Sequence, residues 1–212
     1  MQTYKNFISF EGIDFSGKTT QIKRLIAGLK KENIEVKLVR EPGGTVISEK
    51  IREILLDATY REMEAHTEIL LYSAARAQLV HQKILPLLKA GEYLIADRFF
   101  DSTTTYQGYG RSLNIAFVKQ LNQFATSNLV PYKTFFIDIS PEEAVRRKEK
   151  AGIKSDRLES EDISFYQSIR KGFKKLCEEN PERFVTIPGQ GSVEEVSHLI
   201  EDTIKQFWPI SE

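Results

Sequence analysis

Gly12-Ile13-Asp14-Phe15-Ser16-Gly17-Lys18-Thr19 follows the spacing G-x-x-x-x-G-K-[ST], which can wrap a run of phosphates. The glycines let the backbone curl so that its N–H groups point inward at phosphate oxygens. A helix opening near Thr19 would add an N-terminus that favours an anion. Lys18 would reach the β and γ phosphates and the Thr19 hydroxyl would ligate magnesium. The nucleotide-contacting run is therefore Gly12, Ile13, Asp14, Phe15, Ser16, Gly17, Lys18, Thr19 and Thr20.

A second set of polar residues follows other apolar runs. Tyr93-Leu94-Ile95-Ala96 ends in Asp97-Arg98. The Asp97 carboxylate can hold magnesium through water, and Arg98 can fork onto a phosphate. Arg40-Glu41-Pro42-Gly43-Gly44-Thr45 reads as a tight turn before a helix that carries Arg52. Tyr72 and Arg76 are four residues apart and share a helix face, so a ring and a guanidinium could stack a base and bond its edge. Residues 101–111, DSTTTYQGYGR, look too polar for a core. They suit a site lining, or failing that a solvated loop leading into a helix.

The elements that must position these residues are legible as alternating runs. Phe7–Phe10, Val36–Val39, Tyr93–Ala96, Thr134–Ile137 and Phe184–Ile187 are candidate buried strands. Helical spacing follows them, as in Ile22, Leu25, Ile26 and Leu29, or Ile47, Ile51, Ile54 and Leu55. Thr67–Lys89 reads as one long helix with Pro86 as a possible bend, and further helices fall at Ala116–Ala125, Tyr166–Leu176 and Val193–Phe207. Such alternation implies an α/β fold with a five-stranded parallel sheet and helices on both faces. Ligands in these folds sit beyond the carboxyl ends of the strands, where the polar residues above fall.

The bulk numbers set limits. The chain has 212 residues, which suits one domain over 1–212, and no repeat or linker interrupts it. Thirty basic and thirty acidic residues leave no net charge, unlike a general nucleic-acid binder. His66, His81 and His198 lack metal-ligand spacing, and Cys177, the one cysteine, reads as a core or half-buried thiol. Neither a leader peptide nor a run of ~20 apolar residues is apparent, so a cytoplasmic protein without membrane partners is expected.

Taken together, the start Phe10-Glu11-Gly12 through Ser16-Gly17-Lys18-Thr19-Thr20, the Arg40–Thr45 turn, Ala74-Ala75-Arg76, Asp97-Arg98, Tyr106-Gln107-Gly108 and Asp156-Arg157-Leu158-Glu159 resemble the bacterial thymidylate kinases, within the P-loop NTPase fold. The resemblance covers most of the chain. It implies transfer of a phosphoryl group from ATP, with Mg2+, to dTMP, in a homodimer with a short mobile lid at about residues 142–158. It implies that Tyr72, where the family usually has Phe, stacks on thymine, that Arg76 bonds a thymine carbonyl, and that Gln107 meets the N3 edge. Arg52 and Arg98 would grip the acceptor phosphate. Asp14 would sit near the acceptor sugar and phosphate. Glu41, Thr103 and Tyr106 would line the same site, with Tyr106 able to disfavour a ribose 2'-OH.

The sequence departs from some relatives at Phe15, where they carry a loop arginine. The catalytic cation should then come from the lid. Residues 146–157 hold six basic and two acidic residues, a net +4. Arg147, Lys150, Lys154 and Arg157 are all candidates to approach the transferred phosphoryl, beside Lys18, Asp14 and Arg98. A solvated helix face followed by a turn is the plainer explanation of that charge run. Two other functions fit the phosphate loop: a P-loop kinase for a different small molecule, and a nucleotide-binding module without transfer. The guanine-reading N-K-x-D or T-K-x-D signature is absent.

Overall fold

The computed structural model describes residues 2–152 and 156–208. In chain order the strands are β1 (Gln2–Glu11), β2 (Val36–Arg40), β3 (Tyr93–Asp97), β4 (Leu129–Asp138) and β5 (Phe184–Pro188). They form one five-stranded sheet in the order β2-β3-β1-β4-β5. Every pairing is parallel, as the alternation of runs implied. β1 and β4 are longer than their apolar centres suggested, because Gln2, Thr3 and Tyr4 of β1 already pair with Leu129, Val130 and Pro131 of β4.

The three central strands, β1, β3 and β4, are buried on both faces over their apolar runs, whereas the edge strands β2 and β5 are only partly covered. Successive residues point to opposite sides. Ile8 and Phe10 join a core with Ile22, Leu25 and Leu29 of α1 (Lys18–Lys31) and with Val196, Ile200 and Ile204 of α9 (Val193–Ile204). Phe7, Leu94 and Ala96 face the other way, against Leu79, Val80, Ile84 and Leu88. A third cluster joins Phe136 to Ile169 and Phe173 of α8 (Ile163–Glu179).

On the second face, α2 (Val46–Leu56) precedes α3 (Ala65–Leu79), and α3 runs through a wider π turn, Val80–Ile84, into α4 (Leu85–Lys89). The expected bend at Pro86 takes this form. Pro86 has no N–H to give, and the Leu85 N–H reaches back five residues to the Val80 carbonyl. α6 (Ile115–Thr126) starts where the Asn114 side chain accepts the Phe117 N–H.

Two segments differ from their expectations. The basic stretch begins in a true helix, α7 (Pro141–Ala151), capped by Ser140 with Pro141 at its first turn and closed by Gly152 in the left-handed region. The polar stretch after Arg98 is no solvated loop and does belong to the core. It forms a helical turn, α5 (Phe100–Thr103), then a π turn over Thr104–Gly110, with Asp101 to Gly108 buried. Its polar groups are tolerated inside because each finds a partner. Asp101 pairs with Arg183, Ser102 bonds Glu11, Thr104 bonds Asn122 and Gln107 bonds Glu68.

Parallel register lines up the carboxyl ends of three strands. Phe10 lies beside Asp97, and Asp97 beside Arg40. The phosphate loop, Asp97-Arg98 and the Arg40–Thr45 turn therefore emerge side by side at one edge of the sheet.

Candidate active site

The loop after β1 has the geometry its glycines predicted. Gly12 sits at φ 144° and Gly17 at φ 95°. A Cβ on Gly12 would lie 2.7 Å from the Ile137 carbonyl, so only glycine fits there. α1 begins with no side-chain cap and no acidic residue in its first turn, leaving its N-terminal N–H groups open to an anion. Lys18 is buried and folds onto its own loop, donating to the Gly12 and Ile13 carbonyls at 3.0 and 2.9 Å. Burial, helped by the nearby Arg98 charge, pushes its ammonium down to about 8.

Asp14 to Thr20 line a cleft of about 830 Å³ that also takes in Gly189 to Val193, the turn after β5. Gly12 and Ile13 are not in its wall; Ile13 is buried in the core and contributes its carbonyl. The sequence reading missed the Gly189–Val193 turn, whose signal would have been its glycines at the end of the fifth strand.

At the mouth of the cleft the Thr19 hydroxyl donates to Asp97 Oδ2 at 2.9 Å. This pair offers hard oxygen donors. No cluster of three or more His, Cys, Asp or Glu able to hold a metal exists among the described residues. A two-oxygen set of this kind fits magnesium, which keeps waters and takes its remaining ligands from phosphates.

Arg98 adopts a left-handed backbone, φ 69°, unusual for a side chain of its size and a strain that marks sites under constraint. Its guanidinium reaches Asp14 Oδ1 at 2.5 Å, the Gly12 carbonyl at 2.9 Å and the Tyr106 hydroxyl at 3.1 Å. Tyr106 in turn donates to Asp14 Oδ2 at 2.9 Å. Burial pulls the Asp14 carboxyl up, but the Arg98 and Lys18 charges outweigh it and hold it below the usual range.

Asp14, Glu41, Arg52 and Arg98 border both this cleft and a second cavity of about 140 Å³. The second cavity is walled by Tyr72, Arg76, Thr103, Tyr106 and Gln107, all expected there, and also by Pro42, Leu56, Asp156 and Glu159. Arg52 donates to the Pro42 carbonyl at 3.0 Å. Arg76 is 2% exposed and fully engaged with protein partners, Glu41 at 2.7 Å, Thr103 at 2.9 Å, Asn122 at 3.2 Å and the Phe99 carbonyl at 3.3 Å. Glu41 Oε1 is buried without a hydrogen-bond partner among the described residues. Burial raises the Glu41 carboxyl, and Arg76 offsets this only in part.

The four lid cations separate. Arg147 leaves α7 to contact the loop, donating to the Phe15 and Ser16 carbonyls at 3.4 and 3.3 Å and to Gly189 O at 2.7 Å. Lys150 is exposed at the rim of the large cleft. Lys154 lies outside the described residues. Arg157, also expected to be a catalytic cation, is absent from the wall of the phosphate-loop cleft and points to protein partners instead. It is 8% exposed, bonds the Leu55 carbonyl at 2.9 Å and pairs with Glu68 at 2.6 Å, because a buried guanidinium goes to the buried carboxylate within reach.

Two buried acids went unnoticed in the sequence. Glu11 accepts the Phe99 N–H at 2.8 Å and the Ser102 hydroxyl at 2.5 Å, fixing the turn that carries Arg98. Burial, with Asp101 nearby, raises its carboxyl to about 7. Glu68 joins Gln107, Arg111 and Arg157. Its one signal was a charge directly before the apolar run Ile69-Leu70-Leu71 of α3. Cys177 is half-buried, as expected.

A family model described as Thymidylate kinase matches residues 10–200. A thymidylate kinase of Caldanaerobacter subterraneus subsp. tengcongensis is 48% identical over 201 residues, covering 95% of each chain. One from Lactobacillus acidophilus is 44% identical over 205 residues, covering 96% of this chain and 95% of that one. The crystal structure of thymidylate kinase from Ehrlichia chaffeensis superposes with a TM-score of 0.76 at 31% identity, over 97% of this chain and 99% of that one.

Proposed function

This chain belongs to the thymidylate kinase family and phosphorylates dTMP to dTDP by nucleotide-dependent transfer, and we propose that ATP with magnesium is the donor and that the two adjoining cavities hold donor and acceptor. The observation that carries the proposal is the shared wall: Asp14, Arg52 and Arg98 border the phosphate-loop cleft and the smaller cavity alike. Two phosphates bound one on each side would meet there.

Transfer is direct and in line, through a loose transition state whose charge spreads over the equatorial oxygens. The acceptor's attacking oxygen is already ionised, so no general base is required. The protein's part is alignment and neutralisation. Lys18 turns from its loop carbonyls to the donor phosphates, and Arg52 and Arg98 hold the acceptor phosphate. Thr19 and Asp97 would hold magnesium, which would supply charge neutralisation for the transfer. Residues 142–158 serve as the lid, with Arg147 the favoured cation because it already contacts the loop at Phe15 and Ser16. Lys150 is the alternative at the rim.

In the acceptor cavity Tyr72 stacks on thymine and Gln107 meets its N3 edge. Arg76 bonds a thymine carbonyl by releasing a contact to Thr103 or Asn122. Thr103 and Tyr106 complete the wall, and Tyr106 crowds a ribose 2'-OH. The unpartnered Glu41 oxygen suits a substrate hydroxyl.

The working form is a homodimer. α3 packs between α2 and α6, and these helices leave Ile47, Leu70, Phe117 and Phe124 exposed, Phe124 by 81%. No helix among the described residues is long and apolar enough to cross a membrane, and we place the enzyme in the cytoplasm with its nucleotides.

The test is ADP release with ATP and magnesium against dTMP, dUMP, UMP, CMP, AMP and GMP. A strong preference for dTMP is expected. Equal rates with CMP or AMP would remove the base assignments, and full activity of Lys18→Ala would remove the role of Lys18.

A further inference from the structure

Glu68 is fully buried on α3, one turn before Tyr72 and two turns before Arg76, on the helix face that walls the acceptor cavity. Its Oε1 accepts from Gln107 Nε2 at 2.8 Å and from Arg111 Nε at 3.2 Å. Its Oε2 accepts from Arg111 Nη2 at 3.2 Å and pairs with Arg157 Nη1 at 2.6 Å. An ionised carboxylate can only accept. Burial pulls this carboxyl up, but its Arg111, Gln107 and Arg157 partners outweigh that and hold it below the usual range. A side-chain amide beside it must therefore turn its NH2 inward.

That settles the other end of the amide. Gln107 is 1% exposed and borders the cavity. With Nε2 on Glu68, its Oε1 is left as an acceptor that no donor among the described residues claims. Thymine presents a donor, N3–H, at the edge where cytosine presents a lone pair. We propose that Glu68 is a specificity-determining positioning residue, which locks the Gln107 amide with its oxygen toward the base and so makes the cavity accept an N3–H and reject a bare N3. This rests on the reading that Gln107 meets the N3 edge. Discrimination of this kind is strong because the wrong base leaves a buried polar group facing its own kind.

Arg111 and Arg157 keep the lock charged. Arg157 is held by the Leu55 carbonyl at 2.9 Å, and its backbone N–H bonds Leu56 O at 3.3 Å. The Asp156–Glu159 segment thus supports the lock without touching the base through Arg157.

The test compares dTMP with 5-methyl-dCMP, which keeps the methyl group and changes only the N3 and C4 edge. In Glu68→Gln the new amide can both donate and accept, so Gln107 is free to turn over. The KM for dTMP should rise about tenfold with kcat within about threefold, and the preference for dTMP over 5-methyl-dCMP should fall at least about tenfold. Glu68→Asp keeps the carboxylate and should keep the preference even where KM rises. A raised KM with unchanged preference in Glu68→Gln means a structural role only and overturns the proposal. Gln107→Ala separates the two levels. An unchanged preference in that variant removes Gln107 from the base edge, whereas a lost preference there beside an intact one in Glu68→Gln removes only the lock. Should Glu68→Gln fail to fold, the unaltered protein still decides. In the dTMP complex the Gln107 Nε2 protons should exchange slowly and show no nuclear Overhauser effect to the thymine N3 proton, and a strong effect between them overturns the proposal.

Discussion

Thr19 and Asp97, 78 residues apart, are joined by a hydrogen bond of 2.9 Å from the hydroxyl to Oδ2. Parallel pairing of β1 with β3 brings the end of one strand to the start of the helix that follows the other. A hydroxyl and a carboxylate in contact form a hard-oxygen pair on one side of the phosphate cleft.

If that pair holds magnesium, Asp97→Asn should keep the fold and weaken the metal. Half-saturation for magnesium should rise about 10- to 100-fold at fixed ATP, with a loss of turnover that excess metal partly restores. A magnesium titration superimposable on that of the unaltered protein would refute the assignment.

Lys18, with its ammonium pushed down to about 8 by burial, should take up a proton when triphosphate binds. Anionic phosphates favour the charged form, so the bound pKa rises. At pH 8 the uptake should approach about half a proton and vanish near pH 6. Calorimetry in buffers of different ionisation enthalpy measures it, and zero uptake at pH 8 would show that Lys18 is already fully charged.

Glu11, raised to about 7, gives stability a pH dependence of known sign. A carboxyl with a raised folded pKa contributes stability that is fully present below its unfolded value of 4.5 and lost as pH rises through about 7. Relative to Glu11→Gln, the unaltered protein should therefore lose stability between pH 5 and pH 8, by about 3 kcal/mol at most. Urea unfolding of both proteins at the two pH values checks this, and parallel profiles would rule it out.

Arg76 and Glu41 form an ion pair with side-chain exposures of 2% and 4%. Arg76→Ala should raise the KM for dTMP, and it should also destabilise the fold by about 3–5 kcal/mol, because Glu41 is left charged and unpaired. The double variant Arg76→Ala with Glu41→Gln should recover much of that stability but not the KM. A single variant as stable as the parent would mean that the pair contributes nothing to the fold.

The parts of the protein written in the sequence alone are those that depend on neighbours along the chain. Buried strands announce themselves as apolar runs such as Phe7–Phe10, and α1 by the spacing of Ile22, Leu25 and Leu29. The phosphate loop is local too, because its glycines, Lys18 and Thr19 act within one turn, and Asp97-Arg98 was legible as the polar end of an apolar strand. What the tertiary structure decided is the fate of polar side chains whose partners come from far away. Glu11 meets Ser102 across 91 residues, and Gln107 meets Glu68 across 39. Those partners turn a stretch that looked too polar for the interior into core. Arg157 shows the same limit from the other side. Its charge placed it among the lid cations, but a buried guanidinium goes where a buried carboxylate waits, and only the folded chain puts Glu68 within 2.6 Å of it.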